Sequence, residues 1–157
     1  MAAITVLVAS VLSVVAPVPG PVVQRFVAPA CQRCAGHRGV TIASAAGDPV
    51  RTPVAGTVAF AGAVAGRNYV VVVPSVRSGA GAAMVKVAIG WMVAIESGLA
   101  PGTRVAEGQR IGTAGETTHL SVRVNGTHVE PLAAMGLGWA RLRGPGGVLV
   151  GRGPLPR

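Results

Sequence analysis

The sequence has few acidic residues and few aromatic ones. Its 157 residues include five Asp and Glu against 14 Lys and Arg, which gives a formal net charge of +9. Such a basic chain suits an anionic partner, although a coding bias explains abundant Arg beside Ala, Val and Gly equally well. Phe, Trp and Tyr make up only 3% of the residues. Because single-stranded nucleic acids bind by stacking bases on aromatic side chains, nucleic acid is disfavoured as the partner.

Signals for long helices are also scarce. Half of the residues are hydrophobic, but 23 Gly and 12 Pro divide them into short runs. After the N-terminus, no window combines helical spacing with good helix formers. Short apolar runs between turn residues are typical of strands, and a chain of this length can bury one core. We therefore predict one all-β domain with a mostly antiparallel sheet.

The N-terminal run, residues 2–16, is apolar apart from three hydroxyl residues. It has the length of a signal-peptide core and is short for a membrane-spanning helix. We predict that residues 1–16 are a signal peptide or an apolar N-terminal segment, and that the protein is exported to the cell envelope or beyond. Membrane contact is expected only if this segment stays uncleaved. The alternative is an apolar strand or helix packed on the domain.

The folded domain is predicted over residues 17–136. Its first residues, Pro17–Pro21, have the composition of an extended linker, and a first strand is predicted over 22–27. The basic, Gly- and Pro-rich tail at 137–157 is predicted to be disordered.

Two histidines lie at the entrances of predicted strands. His37 follows Gly36 and precedes the alternating apolar run Val40–Ile42, and His119 begins a similar run that ends at Val124. In a sheet, this arrangement can bring two imidazoles onto one face. Imidazole is the commonest metal ligand in proteins, so the pair is a candidate metal site.

Cys31 and Cys34 form a C-x-x-C motif just before His37. A redox motif would open a helix, whereas this one leads into a strand. Three interpretations remain open: a disulfide in an exported protein, thiolates that join His37 and His119 in a Cys₂His₂ zinc site, and two unpaired loop cysteines.

The strand pattern also bears on the fold and on one rival function. Asn125-Gly126 between two alternating runs predicts a type I′ hairpin, with His128 as a solvated hairpin residue. The elements around Pro53–Val58 and Val105–Gly112 resemble the barrel-sandwich repeats of biotinyl and lipoyl carriers. A carrier needs its lysine at a hairpin tip, but Lys86, the only lysine, lies within a strand pattern. The carrier function is therefore excluded.

Together these elements resemble the lysostaphin/LytM-type peptidoglycan metallopeptidases, whose zinc motifs are His-x-x-x-Asp and His-x-His. The resemblance implies their barrel-sandwich fold, a duplicated hybrid motif. It places His37 and His119 at two zinc-ligand positions and Thr41 at the position of the third ligand, an Asp. Thr117 replaces the other histidine of His-x-His, and Trp91 replaces the histidine of a Tyr-Gly-His-Leu motif. The two replaced histidines are the family's proton-transfer groups.

These changes predict weak zinc binding and no catalytic residues. A hydrolytic zinc needs about three protein ligands and an open position, whereas only His37 and His119 remain. Among the nearby acids, Glu116 is a better substitute ligand than Asp48. We expect a non-catalytic, peptidoglycan-binding or regulatory module of the cell envelope, with peptidoglycan or an anionic cell-wall polymer as its partner. The alternatives are an active zinc endopeptidase with the ligands His37, His119 and Glu116, and a structural envelope protein.

Overall fold

A computed structural model describes residues 16–75 and 83–134, together with the backbone of 142–143 and 149–150. The strands are β1 (Val22–Gln24), β2 (Val40–Ala43), β3 (Pro49–Arg51), β4 (Gly56–Val64), β5 (Arg67–Pro74), β6 (Val85–Ile95), β7 (Arg104–Val105), β8 (Arg110–Val124), β9 (Thr127–Val129), β10 (Leu142–Arg143) and β11 (Leu149–Val150). One short helix, α1, spans Pro131–Ala134. In the part of the chain that the structure describes, no helix reaches the length and hydrophobicity of a membrane span.

A single antiparallel sheet organises the domain. Its strand order is β1-β2-β8-β6-β5-β4-β7, and β3 and β9 also pair with β8. The central strand β8 is 15 residues long and contacts β2, β3, β6 and β9. The predicted all-β, mostly antiparallel fold is confirmed.

The two faces of the central strands have different surroundings. Val87 and Ile89 of β6, and Leu120 and Val122 of β8, are completely buried on the core side. Burying such a side chain contributes about 1.5–3 kcal/mol. Because side chains alternate along a strand, the intervening residues of β6 and β8 face the other side. That second face carries His119.

The segment predicted to be a linker is part of the core. Val18 is completely buried, the Arg51 amide donates to the carbonyl of Pro17, and the Ala43 amide donates to that of Pro21, each at 2.9 Å. The linker interpretation is therefore wrong, because the Val18 side chain fills part of the core and the carbonyls of Pro17 and Pro21 accept hydrogen bonds from β3 and β2. Ala16, assigned to the N-terminal segment, is also buried. Residues 1–15 lie outside the described residues.

The predicted hairpin at Asn125-Gly126 is confirmed. Both residues have positive φ, 50° and 84°, as a type I′ turn requires, and Val124 pairs with Thr127. In the tail predicted to be disordered, β10 and β11 pair in an antiparallel ladder. The other residues of the tail lie outside the described ones.

Candidate functional site

The sheet register places the key residues side by side across the strands. Thr41 and Gly90 flank His119 on either side, and Tyr69 lies beyond Gly90. We call these four residues the histidine row. The loop before β2 adds His37, whose ring lies 5.2 Å from that of His119, centroid to centroid, in an edge-to-face arrangement. The two predicted histidines are thus brought together on one face.

The His37 ring is held at both nitrogens. Its Nδ1 lies 2.8 Å from the carbonyl oxygen of Arg25, so Nδ1 carries the proton and donates. The Nε2 atom then accepts from the hydroxyl of Thr41 at 3.1 Å. A bond from Nδ1–H to a carbonyl is also what orients histidines that bind metals. In this chain, Nε2 of His37 contacts the neutral hydroxyl of Thr41, at the position where the family resemblance implies a carboxylate.

His119 is a buried neutral imidazole. Its side chain is 9% exposed, and its Nδ1 has no hydrogen-bond partner among the described residues. Desolvation by burial, followed by repulsion from His37, His128 and Arg67, lowers the pKa of His119 to about 4. A Cβ at Gly39 would lie 2.7 Å from Nε2 of His119, so the absence of a side chain there makes room for this ring.

Trp91 covers the other side of His119. The two rings stack with centroids 4.8 Å apart and an angle of 21° between their planes. The Arg67 guanidinium lies 4.3 Å from the centre of the Trp91 ring, and the indole Nε1 donates to the Tyr69 hydroxyl at 3.0 Å. Trp91 has a φ of 66° at a bulge of β6, a conformation that costs about 1–3 kcal/mol. These contacts offset that cost.

The remaining predicted site residues lie further apart. Thr117 pairs with Ala43 and is half-buried, two residues from His119 and so on the same face of β8. The side chain of Glu116 is exposed, and the described residues contain no group of three potential ligands that would join it to the two histidines. Cys31 and Cys34 form a disulfide, which leaves no thiolate for a Cys₂His₂ site.

The donor set does not fit a hydrolytic zinc ion. The described residues contain no group of three or more His, Cys, Asp or Glu that can hold a metal. Two imidazoles remain, and Nε2 of one of them, His37, already accepts a hydrogen bond from the Thr41 hydroxyl. The other, His119, has an unpartnered Nδ1, but no carboxylate accompanies the two rings to complete about three ligands.

An open groove of about 410 Å³ extends from His119 along the sheet. Its walls combine apolar side chains with cations, and no acidic residue contributes. The lining residues are Arg38, Ala59, Phe60, Val64, Tyr69, Val71, Lys86, Ala88, His119, Ser121, Arg123 and His128.

The family model that describes Peptidase family M23 matches residues 35–131, the span that holds both histidines. The chain belongs to this peptidase family. The M23 domain identified in this way includes every residue of the histidine row. No curated protein sequence matches the chain significantly.

Solved structures similar to this M23 domain include three peptidase-related ones. Helicobacter pylori Csd3 is 25% identical with a TM-score of 0.61, and the match covers 76% of this chain and 33% of that one. A zinc-containing peptidase from Vibrio cholerae is 24% identical with a TM-score of 0.57, covering 78% and 40%. The catalytic domain of the antimicrobial peptidase lysostaphin from Staphylococcus simulans is 18% identical with a TM-score of 0.59, covering 74% and 92%.

These matches confirm the resemblance to lysostaphin-type peptidases. The chain spans about a third of Csd3 and two fifths of the Vibrio protein. Zinc is the metal of the M23 family.

Sequence reasoning missed several residues of the groove. His128 was predicted to be solvated, yet it is half-buried and lines the groove. Arg67 and Tyr69 were not singled out, although they hold Trp91. Alternation along β8 was the available signal for Ser121 and Arg123, because residues at even spacing from His119 share its face. The Asn125-Gly126 hairpin places His128 opposite Arg123, whereas no local pattern indicates Arg67 and Tyr69, which lie on β5.

Proposed function

We propose that this M23 domain is a non-catalytic, peptidoglycan-binding module of the cell envelope. The observation that supports the proposal most directly is that a protein side chain contacts each of the two imidazoles. Thr41 donates to Nε2 of His37, and Trp91 stacks on His119. Protein groups therefore fill the positions at which a carboxylate ligand and a proton-transfer histidine are expected from the family resemblance.

The chemistry of amide hydrolysis explains why these changes matter. A catalytic zinc lowers the pKa of its bound water to about 7, which supplies the nucleophile. General acid–base groups contribute a further factor of about 10² to 10⁴. Thr117 and Trp91 cannot exchange protons near neutral pH, since a hydroxyl and an indole N–H do not titrate there. Useful turnover is therefore not expected from this chain.

Binding requires less of the site than catalysis does. The groove is long, open and unobstructed by acidic side chains. Exposed apolar residues such as Phe60 and Val64 line one part of it, and cations line another. This combination suits a peptide that carries small apolar side chains and free carboxylates, as the peptides of peptidoglycan do.

Export is part of the proposal. Disulfides persist in oxidising compartments and are rare in the cytosol, and Cys31 is bonded to Cys34. The apolar residues near the N-terminus are consistent with a signal for secretion. We place the domain at the cell envelope or outside the cell.

A pull-down on purified peptidoglycan with zinc present, followed by mass spectrometry of the released peptides, tests the proposal. We expect the protein to be retained and no new fragments to form. Fragments that appear with the wild-type chain and disappear with His119→Ala would reveal an active endopeptidase, in which an altered ligand set such as His37, His119 and Glu116 operates. Absence of retention would favour a purely structural role in the envelope.

A further inference from the structure

The groove floor consists of three parallel rows of side chains, which the sheet register defines. The histidine row lies at one end. Next comes a middle row, in which Ser121, Ala88, Val71 and Phe60 are cross-strand neighbours. The last is a cationic row, in which Lys86 on β6, Arg123 on β8 and His128 on β9 are direct neighbours.

The cationic row has no counter-charge in the described structure. Like charges directly opposite each other on adjacent strands are destabilising, and Lys86 and Arg123 are such a pair. The acidic residues are engaged or exposed elsewhere: Glu96 pairs with Arg110, Asp48 and Glu130 accept backbone amides, and none lines the groove. Glu107 and Glu116 are both exposed. Both side chains of the Lys86–Arg123 pair are exposed, so water and salt screen their repulsion in the free protein, and a bound anion would remove what remains of it.

His128 fixes the direction of the Arg123 side chain. The Arg123 Nε atom donates to Nε2 of His128 at 3.0 Å, so His128 is neutral and acts as an acceptor. Burial, then the charges of Arg123 and Arg38, lower the pKa of His128, which keeps it in that form. The bond engages only Nε, and the Nη groups of Arg123 are therefore the donors that an incoming carboxylate would meet.

Arg38 approaches the same end of the groove from the loop before β2. Its Nη2 donates to the carbonyls of Gln32 and Cys34, at 2.8 and 3.1 Å, so the disulfide-containing turn holds its guanidinium in place. Arg38, Lys86 and Arg123 all line the groove. Hydrogen bonds therefore orient Arg123 and Arg38, and Lys86 adds a third cation from the strand next to Arg123.

We infer that Lys86 and Arg123, with His128 as a positioning residue and Arg38 at the rim, form a subsite for a carboxylate of the bound peptide. The inference rests on the proposed function, because it assigns the ligand of the same groove. Arginine binds carboxylates through paired hydrogen bonds that are stronger than neutral ones, and the adjacent lysine adds a point charge. The middle row, with small Ala88 and Ser121, leaves space for the peptide between the two ends.

The register also sets the length of the ligand. His119 and Arg123 are four residues apart on β8, which corresponds to about 13 Å along a strand. An extended peptide rises by about the same amount per residue. For a peptide that runs extended along β8, a carboxylate bound at Arg123 would therefore lie about four residues from the part that is next to His119.

The experiment measures the affinity of soluble peptidoglycan fragments for the full chain. One ligand sample is left untreated, and in a second sample the carboxylates are converted to amides. The variants are a Lys86→Gln/Arg123→Gln double variant and a matched Arg33→Gln/Arg104→Gln control, which removes the same charge from exposed residues that do not line the groove. Circular dichroism checks the fold of each variant.

We expect the Lys86→Gln/Arg123→Gln variant to bind untreated fragments about tenfold more weakly, as loss of a charge-assisted hydrogen bond predicts. Amidation should weaken the wild type by a similar factor and should weaken this variant no further. The control variant should remain within about twofold of the wild type, because its charges lie outside the groove and act on the ligand only at a distance, where salt screens them. A His128→Gln variant, which keeps an acceptor for Arg123, should bind better than His128→Leu.

Three results would overturn the inference in distinguishable ways. If the wild type binds untreated and amidated fragments equally, the groove binds peptide without this subsite, and the proposed function stands alone. If the control loses as much affinity as the groove variant, the effect comes from net charge. If the wild type binds neither sample, both the subsite and the proposed function fail.

Discussion

Thr41 is the residue that most affects whether the site can bind a metal ion. It lies opposite His119 on the neighbouring strand, and its hydroxyl is 3.1 Å from Nε2 of His37. A carboxylate at this position would face both imidazoles. A hydroxyl leaves the pair of histidines without a third strong ligand, and two imidazoles fall short of the roughly three protein ligands that a catalytic zinc needs.

We expect the purified wild-type chain to contain little zinc and Thr41→Asp to bind about one ion per chain, because the third ligand is then present. Without metal, the introduced carboxylate would be buried and should lower the melting temperature; added zinc should restore it in this variant only. Metal analysis and thermal unfolding with and without zinc provide the measurements. Thr41→Asn serves as the control, and stoichiometric zinc in the wild type that vanishes in His37→Ala would contradict the prediction.

His119 should make stability depend on pH. Its pKa is about 4 in the folded protein against 6.5 for an ordinary histidine, so the unfolded chain binds a proton that the folded one rejects. The contribution of neutral His119 to the free energy of unfolding is complete above pH 6.5 and declines as the pH falls from there toward about 4. The loss is at most roughly 3 kcal/mol.

Urea unfolding of chelator-treated protein at several pH values between those limits measures this dependence. The variant His119→Gln should show a shallower decline, since it has no titrating group at this position. An equal decline in both proteins would assign the effect to other groups, with His128 as the first candidate because its pKa is also lowered.

At the scale of elements, β8 determines the geometry of the site. It pairs with β2 on one side and β6 on the other, and so it places residues from three distant segments in one row. Two hairpins hold the neighbouring strands in register. Their turns are alike in conformation, since Ala65-Gly66 has φ values of 49° and 77° and Asn125-Gly126 has 50° and 84°.

Asparagine adopts a positive φ at a lower cost than alanine does. Exchanging the two residues should therefore have opposite effects on stability in the two turns. Ala65→Asn should stabilise the fold by about 0.5–1 kcal/mol. Asn125→Ala should destabilise it by about 1 kcal/mol or more, because the Asn125 side chain also accepts the Met84 amide at 2.9 Å. Denaturant unfolding of both variants checks the pair, and stabilisation by Asn125→Ala would refute the assignment of the turn.

At the scale of the whole molecule, charge and groove contribute to binding in different ways. The net charge of +9 attracts any anionic polymer, and salt screens that attraction over about 10 Å at 0.1 M. We expect retention on peptidoglycan to fall between about 0.05 M and 0.15 M salt and then to level off, because contacts inside the groove are screened less. Retention that falls to zero would indicate that binding comes from surface charge alone.

Location in the cell is a second property of the whole molecule. We expect cell fractionation to recover the protein from the envelope or the medium, with Cys31 and Cys34 oxidised and the apolar N-terminal residues either removed or associated with the membrane. Thiol labelling after denaturation reports the state of the cysteines. Full-length protein in the cytosol with reduced thiols would contradict this.

The sequence by itself determined the fold class, the Asn125-Gly126 hairpin and the pairing of His37 with His119. The first two features follow from local rules, since alternation and turn residues are properties of neighbouring residues, whereas the pairing of the distant histidines was expected from the resemblance to a known family. The same rules failed at Pro17–Pro21, where a Pro- and Gly-rich segment looked like a linker but packs its valine into the core. Local composition does not report what a distant strand will cover.

Only the tertiary structure decided which side chains share the groove. Lys86, Arg123 and His128 lie on three strands, and their alignment depends on a cross-strand register that runs without a shift from the cationic row to the histidine row. The Arg67–Trp91–His119 stack likewise depends on a positive φ at Trp91, a conformation that local preferences oppose. Contacts between distant segments supply the energy for such an arrangement, and for that reason the chain order of the residues does not reveal it.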